Sequence, residues 1–234
     1  MKKMIKNELS GWKKWEIIWL LIACSIITGL SIYWGDNLMG IISATTGVAC
    51  VVCTGKGKLS AYLFGLINCV LYAIISYKAG YYGETTFNII SVPLQFVGFI
   101  TWSKHMNAET YEVEKKHMSN QGRLLLVLVI TISTIIYGSI LKVIGGNMPL
   151  VDSFTTVSSM IAMIISVMMY SEQWILWILI NILNIWLYII DVINGGSTYA
   201  AILMWGVYLI NAITMSIKWG KEARHNDNNT RITK

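Results

Sequence analysis

Long apolar runs recur eight times along the chain, at 17–33, 38–54, 59–77, 85–102, 124–141, 153–170, 173–190 and 198–217, with polar connections between them. A bilayer core about 30 Å thick takes about 20 apolar residues per helix, with about 17–25 tolerated. Each run therefore predicts one transmembrane helix. Transmembrane strands of roughly 10 alternating residues match poorly, because these runs are apolar on all sides. The first run is not read as a signal peptide: its basic approach is long and no A-x-A-like site follows it.

Composition supports this reading. Of the 234 residues, 55% are hydrophobic and 13% charged, about half the charge of an average soluble chain. A body of this size could not hide so much apolar surface, which excludes a soluble enzyme or nucleic-acid-binding domain. The fold class expected is an all-α integral membrane protein with eight transmembrane helices.

The formal net charge of +6 lies between and beyond the apolar runs, with no basic face interleaved with aromatics, so no nucleic-acid partner is implied. Alternating the spans puts every Lys and Arg on one side except Lys78 and Lys142. The positive-inside bias then places both termini in the cytoplasm, and an even span count agrees. Trp12, Trp15, Trp34, Trp102 and Trp219 fall near span ends and read as headgroup-level anchors. The longest connection, 103–123, mixes Glu109, Glu112 and Glu114 with Lys115 and Lys116 and reads as a solvated cytoplasmic linker.

Cys24, Cys50, Cys53 and Cys69 all lie in apolar runs, where a free thiol behaves as a small hydrophobe. Cys50-x-x-Cys53 has no second Cys or His pair near it, and His105, His117 and His225 fall in polar connections. Neither a metal site nor a cofactor is expected.

Shifting the chain by 113 positions superposes the second, third and fourth runs on the sixth, seventh and eighth. Leu66-Ile67-Asn68 falls on Leu179-Ile180-Asn181, Gly83-x-Thr85 on Gly196-x-Thr198, and Ile100-Thr101 on Ile213-Thr214. The paired Asn and paired Gly-x-Thr turns are not cheap coincidences in apolar sequence. One span between two three-span repeats leaves both in the same orientation, a parallel-repeat plan known in SWEET transporters, with substrate sites near the midplane at the repeat interface. The expected organisation is a cytoplasmic N-terminus with an extra helix (1–36), a first three-helix repeat (37–103), a cytoplasmic loop and linker helix (104–149), a second repeat (150–218) and a polar cytoplasmic tail (219–234).

None of the eight runs holds an interior Asp, Glu, Lys, Arg or His. Intramembrane charges mark proton relays and ion pathways, so the simplest expectation is downhill transport. Amides, hydroxyls and indoles make up most of what is left. Trp174, Trp177, Asn181, Asn184 and Tyr188 share one helical face of the seventh run, and Asn88, Ser91 and Gln95 form a stripe in the fourth beside Pro93. The third contributes Asn68 and Tyr72, and the eighth Trp205, Tyr208 and Asn211. A single amide can serve as interhelical glue worth about 0.6–2 kcal/mol. Convergence on corresponding spans of both repeats instead favours a ligand lining. Indole faces attract a flat cationic ring, and amides serve hydroxyls and a carboxamide. A polar, ring-bearing, uncharged or cationic solute fits; an anion does not.

At these residues the sequence resembles the PnuC family of bacterial nicotinamide riboside transporters. The resemblance is carried by Asn68 with Leu71 and Tyr72 after it, and by Tyr82-Gly83-Glu84 leading to Asn88. It continues through Val92-Pro93-Leu94-Gln95 to Gly98 and Trp102, then from Asp152, Thr155 and Thr156 to Glu172-Gln173-Trp174-x-x-Trp177-x-x-x-Asn181. It covers nearly the whole chain. The resemblance implies a SWEET-like 3+1+3 fold preceded by an extra helix, often trimeric, in the bacterial inner membrane. It implies import of nicotinamide riboside by facilitated diffusion for NAD synthesis, with trapping by a cytoplasmic kinase. Matched by motif, Trp174, Trp177, Asn181 and Gln95 would contact the substrate, followed by Asn88, Asn184, Asn68 and Tyr208. Similar proteins carry thiamine, riboflavin or deoxynucleosides, so uptake of another vitamin or nucleoside is the alternative. A membrane-embedded enzyme would need a nucleophile, acid–base or metal constellation, which the spans do not offer. A non-transporting scaffold would bind no small solute saturably.

Overall fold

The computed structural model describes residues 7–78, 82–143, 145, 148–195 and 199–232, with side-chain surroundings for all of these except 82–84, 199–201 and 227–232. Eight long helices follow one another: α1 (Lys14–Tyr33), α2 (Leu38–Lys56), α3 (Ser60–Lys78), α4 (Tyr82–Ser103), α5 (Asn120–Val143), α6 (Pro149–Val167), α7 (Gln173–Ile193) and α8 (Tyr199–Ile232). Among the described residues, β-structure is limited to two isolated bridges. Seven of the helices are long and apolar enough to cross a membrane. The exception is α4, whose middle carries Asn88, Ser91, Pro93 and Gln95. Helices dominate because lipid offers no partner to a backbone N–H or C=O, so each segment must satisfy its own.

Helix ends follow local chemistry. At α2 the Asn37 side chain accepts from the Gly40 N–H at 2.9 Å, and Gly57 closes the helix in the left-handed region (φ 79°). Pro149 stands in the first turn of α6, where a missing N–H costs nothing. That helix stops at Val167, short of the expected 170, because Met169 turns left-handed (φ 66°) and the Tyr170 N–H returns to the Ile165 carbonyl at 3.0 Å. α8 continues past the expected end at 217 into the supposed polar tail, as the helix-forming run Lys221-Glu222-Ala223-Arg224 allows. The Gly196-x-Thr198 turn lies outside the described residues, as do the side chains of Tyr82, Gly83 and Glu84.

The chain divides into two compact units, Met1–Glu114 and Lys115–Lys234. In the first, α1 to α4 pack in succession. Thr28 and Thr45 share a 2.9 Å hydrogen bond between α1 and α2. The α3–α4 seam is close: a methyl on Gly98 would stand 2.7 Å from the Tyr62 hydroxyl and overlap its ring. Tyr62 also meets Trp102 edge-on, centroids 4.9 Å apart.

Where α2 turns into α3 the first unit becomes polar and buried. Lys58, fully buried, donates to the backbone carbonyls of Asn7 (3.1 Å), Ser10 (2.8 Å) and Tyr111 (2.8 Å). The Glu8 carboxylate accepts from the N–H groups of Leu59 (3.3 Å) and Ser60 (2.9 Å), an acid at the positive end of α3. Lys56 pairs with Glu16 at 2.6 Å and Glu112 at 2.7 Å. The Val113 N–H donates to the Gly57 carbonyl at 2.9 Å.

The second unit packs α5 to α8 in succession. Ser153 Oγ donates to the Thr134 carbonyl at 2.9 Å, tying α6 to α5. Ile130, Ala162, Ile165, Leu176 and Ile180 form its apolar core. Here Glu172 gathers the connection: it accepts from the Met118 N–H at 3.1 Å and from Arg123 Nε at 2.9 Å. His117 bridges Ser171 (2.8 Å) and the Gly220 carbonyl (3.2 Å), and Lys115 pairs with Glu222 at 2.6 Å. The Lys116 N–H reaches the carbonyl of left-handed Met169 at 3.2 Å, as Val113 reaches Gly57 in the first unit.

Two expectations need correction. The connection from 103 to 123 is only partly a solvated linker: Glu109 and Glu114 are exposed, but Glu112, Val113 and Lys115 are buried and their polar groups are paired. Trp102 and Trp219 are not headgroup anchors: both are fully buried, packed edge-on against Tyr62 and Trp174. Trp15 and Trp34 remain exposed, as an anchoring role requires.

Candidate functional site

In the first unit the three candidate amides sit in different environments. Asn68, on α3, donates through Nδ2 to the carbonyl (2.8 Å) and hydroxyl (3.3 Å) of buried Ser43 on α2. Those contacts tie α3 to α2 through the donor end of the amide. Gln95 and Asn88, on α4, are 7% and 5% exposed. The Gln95 amide lies over Gly65, and its Nε2 points to Cys69 Sγ at 3.9 Å. Ser91, between them, is spent on its own helix, donating to the Phe87 carbonyl at 2.8 Å.

In the second unit α7 carries four candidates. Trp174 is 2% exposed, with its ring edge-on to Trp219 at 5.8 Å and its Nε1 without a hydrogen-bond partner among the described residues. Trp177 packs on the apolar core, as does Trp205 of α8. Asn181 follows one turn after Trp177 and is 3% exposed. Asn184 is half-buried and donates through Nδ2 to the Ile180 carbonyl at 2.9 Å, so that donor is engaged within the helix. Tyr208, on α8, stands edge-on to Trp205 at 5.8 Å. The repeat partners Asn68 and Asn181 therefore differ: the first is half-buried and ties two helices together, and the second is buried. The position of Ser43 in the second repeat is Thr156, which is exposed.

Chemically, the candidates offer amide donors and acceptors and indole rings. Among the described residues, no group of three or more His, Cys, Asp and Glu residues is placed to hold a metal. A family model described as nicotinamide mononucleotide transporter matches residues 37–221. Over 223 residues the chain is 40% identical to the nicotinamide riboside transporter PnuC of Neisseria mucosa, covering 92% of this chain and 85% of that one. The chain belongs to the PnuC family. It is thus a multi-pass membrane transporter, not an enzyme. The Haemophilus influenzae member, also named a nicotinamide riboside transporter, is 33% identical over 93% of this chain and 95% of its own. A solved structure described as the crystal structure of the vitamin B3 transporter PnuC superposes with a TM-score of 0.81 at 37% identity, covering 95% of this chain and 98% of that chain.

Reading the sequence for polar and aromatic residues missed the small ones that seat them. Ala61, Gly65 and Cys69 recur every four residues along one buried face of α3. Such small-residue spacing is the available signal for a close helix crossing in a membrane.

Proposed function

We propose that this PnuC-family protein carries nicotinamide riboside across a bacterial inner membrane by facilitated diffusion. Two curated relatives above 30% identity are named for that solute. The observation that carries the reading is the buried Nε1 of Trp174, which has no hydrogen-bond partner among the described residues, on the same helix face as Trp177 and the buried amide of Asn181. A group of that kind is costly to bury unless something hydrogen-bonds to it, and the substrate's carboxamide or ribose would do so. Trp174 and Trp177 supply indoles for the cationic pyridinium; Gln95 and Asn88 supply further amides, with Asn184, Asn68 and Tyr208 as lesser contacts.

The family description speaks of the mononucleotide, but the residue types argue for the riboside. A phosphate group asks for Arg, Lys or backbone N–H groups at a helix start, and the apolar runs hold no interior basic residue. The same lack of ionisable groups supports uniport, because a coupled proton has no relay to follow. The wider reading keeps α4 as an eighth span, both termini in the cytoplasm, an extra helix before a 3+1+3 repeat core, a trimer, and trapping by a cytoplasmic kinase.

Titration calorimetry on the purified protein tests the substrate. Nicotinamide riboside should bind saturably, while thiamine, a deoxynucleoside and nicotinamide mononucleotide should not. Saturable binding of thiamine instead would replace the substrate and keep the mechanism. Preference for the mononucleotide would overturn the charge argument, and no binding by any of the four would leave the amides as glue.

A further inference from the structure

We propose that Gly65 and Cys69 form a cradle on α3 that sets the position of the Gln95 amide, making Gly65 a positioning residue for substrate binding. The inference rests on the reading that Gln95 touches the substrate. It goes beyond that reading by assigning a role to residues that carry no ligand chemistry of their own.

The geometry is local to one helix pair. Gly65 and Cys69 are four residues apart and share a face of α3, and both are buried. Across the seam, Gln95 lays its amide over that face. A methyl group built on Gly65 would collide with Gln95 Oε1 and stand 2.9 Å from its Cδ and 3.1 Å from Cys50 Sγ. Real Cβ atoms essentially never approach that closely, so something must move. The atom in the way is the end of a flexible side chain, and a small displacement of Gln95 relieves it. The backbones of α3 and α4 need not part. At Gly98 an added methyl would instead overlap the Tyr62 ring, a rigid group held against Trp102.

Glycine at position 65 therefore has a use separate from letting two helices approach. It leaves the space that the Gln95 carboxamide fills, while Cys69 Sγ accepts weakly from the other end of that amide at 3.9 Å. Both ends of the amide are thus set, with Oε1 over Gly65 and Nε2 toward Cys69. A ligand that reads Gln95 reads an amide whose orientation α3 has fixed. Gly65→Ala would keep the seam but turn the amide out of register. Binding energy depends on ångström-level placement of such groups.

The test is a double-mutant cycle read by calorimetry with nicotinamide riboside on the purified, full-length protein, with thermal stability measured alongside. Gly65→Ala is expected to weaken binding by roughly tenfold, the scale of one misplaced hydrogen bond. The melting temperature should stay close to that of the unmodified protein. Gln95→Ala should weaken binding at least as much. Adding Gly65→Ala to Gln95→Ala should then cost nothing further, because the side chain that the methyl displaces is gone. Multiplying effects in the double variant would overturn the proposal, as would wild-type affinity in Gly65→Ala. If Gln95→Ala itself binds normally, the assignment of Gln95 as a contact fails, and that result is distinct from failure of the cradle.

A collapse of thermal stability in Gly65→Ala would also count against the proposal, since it would show that the seam and not the amide absorbs the methyl. Gln95→Asn gives a second, independent reading. Its amide is shorter by one methylene, so Gly65→Ala should be tolerated better on the Gln95→Asn background than on the native one. Equal loss on both backgrounds would contradict the cradle.

Discussion

Asn181→Ala is expected to abolish nicotinamide riboside uptake while the protein still reaches the membrane at its usual level. Asn181 is 3% exposed and lies one turn beyond Trp177 on the same face of α7, so the proposed contact goes with its amide. The loss falls on the ligand. An unmade hydrogen bond in a desolvated site costs about 1–3 kcal/mol, or up to roughly 100-fold in affinity. Trp177→Ala should also abolish uptake, but less cleanly. Its ring packs on the core of Ile130, Ala162, Ile165, Leu176 and Ile180, so truncation also opens a cavity. Asn68→Ala makes the contrast, since its amide is already spent on Ser43. It should lower thermal stability more than affinity. Normal uptake by both Asn181→Ala and Trp177→Ala would sink the site assignment.

The largest effect on stability is expected at Lys56. Its ammonium lies 2.6 Å from Glu16 and 2.7 Å from Glu112, and all three side chains are largely hidden from solvent. Lys56→Ala would remove the cation that two buried carboxylates share, at a cost of about 3–5 kcal/mol. A marked fall in melting temperature in detergent should report this. Replacing all three groups by neutral residues, with Glu16→Gln, Lys56→Met and Glu112→Gln, should recover much of the loss, because uncharged groups are far cheaper to bury. Unchanged stability in Lys56→Ala would mean that water reaches the cluster and screens it.

The sequence and the structure agree where the physics is local. A run of about 20 apolar residues must form a helix in lipid, and all eight runs coincide with α1 to α8 to within a few residues, apart from the continuation of α8. The helix ends are local too, Gly57 closing α2 and Pro149 opening α6, though the apolar runs alone do not mark them. What could not be read depends on residues distant in the chain. Lys56 meets Glu112 only once the connection folds back, and Trp102 is buried against neighbours that include Tyr62 on another helix. The polarity of 103–123 suggested solvent because a charged residue looks the same whether paired or hydrated.

The candidate site shows the same boundary. Repeat spacing brought out Asn68 and Asn181 as equivalents, and nothing in either residue tells them apart. The structure separates them by a neighbour: Ser43 engages the Asn68 donor, while Thr156 at the matching position is exposed. Asn184 likewise shares the α7 face with Asn181 by periodicity, yet its donor is taken by Ile180. Helical spacing identifies a face; the neighbouring helix determines which side chains on it are left for a ligand.

Uptake of labelled nicotinamide riboside into proteoliposomes holding the purified protein tests the central claim most directly. Facilitated diffusion predicts saturable entry that stops when inside and outside concentrations are equal, at a rate indifferent to imposed proton or sodium gradients. Accumulation above the outside concentration under either gradient would contradict uniport, and no protein-dependent entry would contradict the assignment of the substrate.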